Sequence, residues 1–111
     1  MKKFYLALDL EDDPEKIAAY KEHHQKVWPE ILESLGTSGI ISMQIFNIEN
    51  RLFMVVETID DFSFEKKALL DRNNTRVQDW ETLMWTFQKA IPNSKEGEKW
   101  RLMEEIFYYK K

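Results

Sequence analysis

Gly39-Ile40-Ile41-Ser42-Met43-Gln44-Ile45-Phe46-Asn47-Ile48-Glu49-Asn50-Arg51-Leu52-Phe53-Met54-Val55-Val56-Glu57-Thr58 is the stretch that decides the fold. Two β-rich runs, 39–48 and 51–58, meet at Asn47-Ile48-Glu49-Asn50, whose asparagines tolerate turn geometry, so the segment reads as a β-hairpin. Upstream, Lys3 to Leu10 alternates Phe4, Leu6, Leu8 and Leu10 with Tyr5, Ala7 and Asp9, the period of a strand with two different faces. Between that strand and the hairpin lies a helix. Asp13 suits its cap, Pro14 its first position and Glu15 its positive end, and it runs to about Gly36. Downstream, Asp61 to Leu70 reads as a short helix. Val77, Trp80, Met84, Phe87 and Ile91 then recur at helical spacing until Pro92-Asn93-Ser94, and Trp100 to Tyr109 reads as a last strand. The order is strand, helix, strand, strand, helix, strand. It predicts a ferredoxin-like α+β sandwich, a four-stranded antiparallel sheet with helices on one face, in a single domain spanning residues 1–111.

The other face of that sheet carries a second expectation. Leu52, Met54 and Val56 alternate with Phe53, Val55 and Glu57, and Leu102, Ile106 and Tyr108 alternate with Met103, Phe107 and Tyr109, so these strands are apolar on both sides. One helical layer covers one face. The remaining surface predicts a homodimer packed sheet to sheet, a dimeric α/β barrel.

Composition removes several function classes. The 111 residues carry a formal net charge of -4 with no basic cluster, which argues against nucleic acid or an anionic membrane as partner. There is no cysteine, so disulfides and thiolate chemistry are excluded. Met1-Lys2-Lys3 precedes an apolar run that Asp9 interrupts, too short for a signal-peptide core, and no stretch approaches the roughly 18 apolar residues of a membrane helix. A cytoplasmic protein is the expectation. No HExxH, CxxC or glycine-rich phosphate loop is present, so neither a metal nor an organic cofactor is expected.

The residue that asks for a reason is His24. Ile17, Tyr20, His24, Trp28, Ile31 and Leu35 fall along one helical stripe, which turns His24 toward the sheet and His23 toward solvent. Adjacent histidines that point apart make a poor metal site. Pro29 removes a backbone donor and favours a kink that opens space beside His24. Taken alone, a histidine on an apolar stripe is more often a hydrogen-bonded core residue, and Trp28, Trp80, Trp85 and Trp100 read as core anchors.

The run Tyr20-x-x-x-His24-x-x-x-Trp28-Pro29-Glu30 resembles the helix signature of the L-rhamnose mutarotase family. The strand Leu52-Phe53-Met54-Val55-Val56-Glu57 and the closing Trp100 to Tyr108 are similar to that family as well. The resemblance implies a dimeric ferredoxin-like barrel that interconverts α and β anomers of 6-deoxy sugars without a cofactor. It also implies that His24 is the catalytic histidine, that Tyr20 binds substrate and that Trp80 lines the sugar. Two positions depart from the family pattern. Met43 stands where a sugar-contacting tyrosine is expected, and Glu81 follows Trp80 where a second tryptophan is expected, so both departures bear on which sugar is recognised.

The residue types suit the chemistry. Opening a hemiacetal removes the anomeric hydroxyl proton while the ring oxygen gains one, and a histidine titrating near neutral pH serves either role. His24 is assigned as donor. Tyr20, Glu57, Glu105 or an ordered water are the candidates for its partner, the two carboxylates because an acid facing a covered sheet needs a partner of its own. Trp80 and Trp28 offer flat apolar faces to the C–H side of a monosaccharide. Two rivals stand beside this reading: a dimeric α+β barrel monooxygenase, cofactor-free or haem-dependent, and a sugar-binding domain without turnover.

Overall fold

In the computed structural model, which describes residues 1–111, strand β1 (Lys2–Leu10) lies inside the sheet and is paired on both edges. Its partner β3 (Arg51–Thr58) runs antiparallel and carries β2 (Ile40–Ile48) on its outer side. The register places Phe4 opposite Val56, Leu6 opposite Met54 and Leu8 opposite Leu52. Period-two alternation then sends all six toward the helices. Leu8 and Leu10 are 0% exposed and Leu52 is 1% exposed. Each such leucine contributes about 1.5–3 kcal/mol of burial.

Four helices cover this face: α1 (Pro14–Gln25), α2 (Pro29–Thr37), α3 (Phe64–Arg72) and α4 (Thr75–Trp85). Their starts follow local chemistry. The Asp13 side chain accepts from the N–H groups of Glu15 and Lys16, Ser63 from Lys66, and Asn74 from Arg76 and Val77. Tyr20, Ile31, Val77, Trp80 and Met84 pack with Leu10 and Leu52 in one cluster, while Leu6, Met54 and Val56 form a second. Trp100 packs against both.

The α+β ferredoxin-like architecture is the expected one, with four departures in detail. The single kinked helix is two helices, because Trp28 (φ -59, ψ 136) takes the extended conformation favoured before a proline and Pro29 restarts the chain as the first residue of α2. In the hairpin it is Glu49, not an asparagine, that adopts positive φ (50°). Asn47 instead donates from Nδ2 to the carbonyls of Glu49 and Arg51, and Asn50 donates from Nδ2 to the carbonyl of Leu10. The last helix ends at Trp85, so Phe87 and Ile91 lie beyond it.

The fourth departure concerns the last strand. It is formed by two short pieces that continue one another along β1: β4 (Gln88–Lys89) pairs with Leu10 and Asp9, and β5 (Arg101–Leu102) pairs with Ala7 and Leu6. Residues 90–100 are an excursion between them, tied by Arg101 Nη1 donating to the carbonyl of Pro92 at 3.2 Å. After Met103, whose N–H reaches the carbonyl of Tyr5, residues 104–111 form no strand, and Ile106, Phe107, Tyr108 and Tyr109 are exposed.

Gly39 joins α2 to β2 at φ 97°, and a Cβ there would stand 2.9 Å from Cγ1 of Ile59. Both the backbone conformation and the contact require glycine. Gly39→Ala is expected to destabilise the fold by about 1–3 kcal/mol, read as a lower midpoint in urea with an unchanged m-value.

Candidate active site

The inward positions of the sheet do not meet the helices everywhere. Between them lies a cavity of about 700 Å³ with mainly apolar walls. Leu6 and Met54 belong to its sheet side, Met43 and Ile45 enter from β2, Tyr20 and His24 from α1, and Trp80 from α4. Concave, mostly apolar and marked by a few polar groups, it has the character of a small-molecule site.

Tyr20 and His24 are one helical turn apart, with ring centroids 4.4 Å apart. His24 Nδ1 lies 2.9 Å from the carbonyl oxygen of Tyr20. A carbonyl only accepts, so Nδ1 carries the proton and the neutral ring keeps Nε2 as a free acceptor. Burial pushes the His24 pKa below its ordinary value of 6.5, against the opposing pull of the Tyr20 carbonyl and with help from His23. At neutral pH the ring is therefore an acceptor first, and becomes a donor only after taking a proton. Tyr20 is 4% exposed, and its pKa is pushed up to about 12, chiefly by burial. Gln88 Nε2 donates to its hydroxyl at 3.3 Å, which leaves the Tyr20 O–H free to donate elsewhere.

Two pH effects follow from the depressed His24 pKa. Between the folded-state pKa and 6.5 the unfolded chain binds more protons than the native one, so His24 makes stability fall as pH drops through that window. If neutral Nε2 is the working group, blank-corrected kcat/KM falls with acid through an apparent pKa below 6.5 and is level above it, as a pH–rate profile would record.

Trp80 stands edge-on to His24, 5.6 Å between centroids. Trp28 packs against Trp80 at 5.1 Å, with the Arg76 guanidinium 4.1 Å from the centre of the Trp28 ring. Trp28 thus backs the cavity wall and does not form it. His23, expected in solvent, is half-buried, its ring 5.5 Å from that of Phe87. Trp85 is 38% exposed beneath Lys99 and is no core anchor, since the helix turns it outward. Met43 lines the cavity, as does Trp100.

Glu57 and Glu105 are not brought to His24. Glu57 alternates with Val56 and Thr58 and so points to the open face of the sheet, where it accepts from Ser42 Oγ at 3.2 Å. Glu105 lies in the exposed terminal segment. The charged groups that do border the cavity are two ion pairs, Lys67–Asp71 and Glu81–Lys99. Apart from Glu81, these residues and Gln88 carried no sequence signal, because their meeting depends on how α3 and the 90–100 excursion pack.

The model of the L-rhamnose mutarotase family matches residues 3–109. An L-fucose mutarotase of Xanthomonas campestris pv. campestris is 43% identical over 109 residues, covering 96% of this chain and 87% of that protein. An L-rhamnose mutarotase of Enterococcus faecalis is 34% identical over 88 residues, covering 78% and 85% respectively. The crystal structure of L-rhamnose mutarotase FA22100 from Formosa agariphila superposes with a TM-score of 0.72 at 24% identity, covering 99% of this chain and all of that one, a likeness of fold. These matches do not favour the monooxygenase or the non-catalytic reading. With its fold and its sequence in agreement, the chain belongs to the L-rhamnose mutarotase family, isomerases that interconvert sugar anomers.

Proposed function

We propose that the cavity binds a 6-deoxy sugar, L-fucose in preference to L-rhamnose, and exchanges its anomers through His24. The observation that supports this most is the fixed tautomer of His24, a neutral imidazole with a free Nε2 on the wall of a mainly apolar cavity. Nε2 takes the proton of the anomeric hydroxyl as the bond from C1 to the ring oxygen breaks, and C1 becomes an aldehyde. The ring oxygen receives the Tyr20 hydroxyl proton, that hydroxyl being held by Gln88. Rotation about C1–C2 presents the other aldehyde face, and both protons return as the ring closes. Trp80 offers its face to the C–H side of the sugar, backed by Trp28, and Met43 meets the ring edge from β2.

The preference for L-fucose rests on the 43% identity to a protein of that activity, against 34% to an L-rhamnose enzyme. The working unit is a homodimer. Tyr5, Phe46 and Phe53 form an aromatic row on the open face, with Tyr5 stacked on Phe53 at 6.1 Å, and Met103, Ile106, Phe107, Tyr108 and Tyr109 are exposed apolar or aromatic side chains that a second copy would cover. The same reading places the enzyme in the cytoplasm and needs neither metal nor organic cofactor.

Polarimetry on freshly dissolved crystalline anomers tests the reading. Relaxation of optical rotation faster than buffer for L-fucose, and less so for L-rhamnose, is the expected result. Relaxation at the buffer rate for both would overturn it.

A further inference from the structure

Asp71 sits where simple electrostatics would not put it. It occupies the last turn of α3, the negative end of the helix dipole, and its side chain is only 15% exposed. Lys67, one turn earlier and 19% exposed, holds Oδ2 with its Nζ at 2.5 Å. The other carboxylate oxygen, Oδ1, is buried and has no hydrogen-bond partner. A buried carboxylate oxygen without a donor is costly, and such costs persist where a ligand removes them.

Both members of this pair line the same cavity as His24, Tyr20 and Trp80, but from the α3 side. The second pair on the wall, Glu81–Lys99, is more open, at 42% and 32% exposure. Pockets of this kind use a few fixed polar groups among apolar ones to orient a ligand. A site built to bond a substrate hydroxyl discriminates strongly against analogues that lack it, because its own buried group is then left unpaired.

We infer that Asp71, held by Lys67, is a specificity-determining residue whose Oδ1 accepts a hydrogen bond from a ring hydroxyl of the sugar remote from the anomeric carbon. The inference rests on the sugar-binding reading of the cavity and adds to it the polar contact that selects the sugar. Proton transfer stays with His24 and Tyr20.

The test is Asp71→Asn, which keeps the shape of the side chain and removes its charge. Anomer exchange and binding are measured with L-fucose and with its monodeoxy analogues, alongside melting without ligand. The expected result is a KM raised about tenfold or more with kcat little changed. One monodeoxy analogue should bind wild type and variant alike, because it lacks the hydroxyl that Asp71 reads. The ligand-free variant should melt somewhat lower than wild type, because Lys67 Nζ loses the charge of its partner Oδ2, so the analogue comparison and not the melt separates recognition from structure. Equal KM in wild type and variant would overturn the inference alone. So would an equal penalty for every analogue, the mark of a structural role. A wild type that neither binds nor exchanges L-fucose or L-rhamnose would overturn it together with the functional reading.

Discussion

His24→Asn is expected to leave the fold and the oligomer unchanged and to lower kcat for anomer exchange by about 10²–10⁴-fold. Asparagine suits the test because its Nδ2 still offers a donor where Nδ1 now meets the Tyr20 carbonyl at 2.9 Å, while it supplies no titrating base. His24 is half-buried and outside the set of fully buried core residues, so its replacement removes little packing. Circular dichroism and a thermal melt check the fold, and blank-corrected exchange rates check the chemistry. Lost exchange with an unmoved melting temperature is the signature of catalysis. A large drop in melting temperature with normal residual turnover would instead return His24 to the core role that its spacing alone suggested.

Trp80→Ala should be the most damaging single substitution for stability. Trp80 is 8% exposed and touches α1 and the Trp28 ring, so its loss merges a side-chain-sized void with the existing cavity. Such truncations cost about 3–5 kcal/mol. For a domain of this size each kcal/mol lowers the melting temperature by roughly 4–8 °C, so a fall of more than about 10 °C is expected by calorimetry. Trp80→Phe should recover most of that stability but bind sugar less tightly, because a smaller face remains for the C–H side of the ring. Equal stability of Trp80→Ala and wild type would mean that the α4 wall contributes little to the core.

Period two made β1 and the hairpin legible in the sequence, since Leu6, Leu8, Leu52, Met54 and Val56 all lie on the buried face where alternation places them. The Tyr20–His24 pair was legible because one turn of helix fixes their separation whatever the rest of the chain does. Three features were not. The stripe from Ile17 to Leu35 continues in register across Pro29, so the sequence hid a full helix break at Trp28. Phe87 and Ile91 extend the spacing of α4 by coincidence, although the chain has already turned into the sheet at Gln88. The charged wall of the cavity was hidden for a deeper reason. Lys67 and Asp71 look like an ordinary i,i+4 surface pair, and only tertiary placement buries them.

Saturation transfer between the two anomeric proton resonances of equilibrated L-fucose, recorded with wild type and His24→Asn at equal concentration, is the most direct measurement. Transfer well above buffer with wild type, and none above buffer with the variant, is the expected result. Equal transfer from both proteins would contradict a catalytic His24, and no transfer from wild type would contradict L-fucose anomer exchange in this cavity.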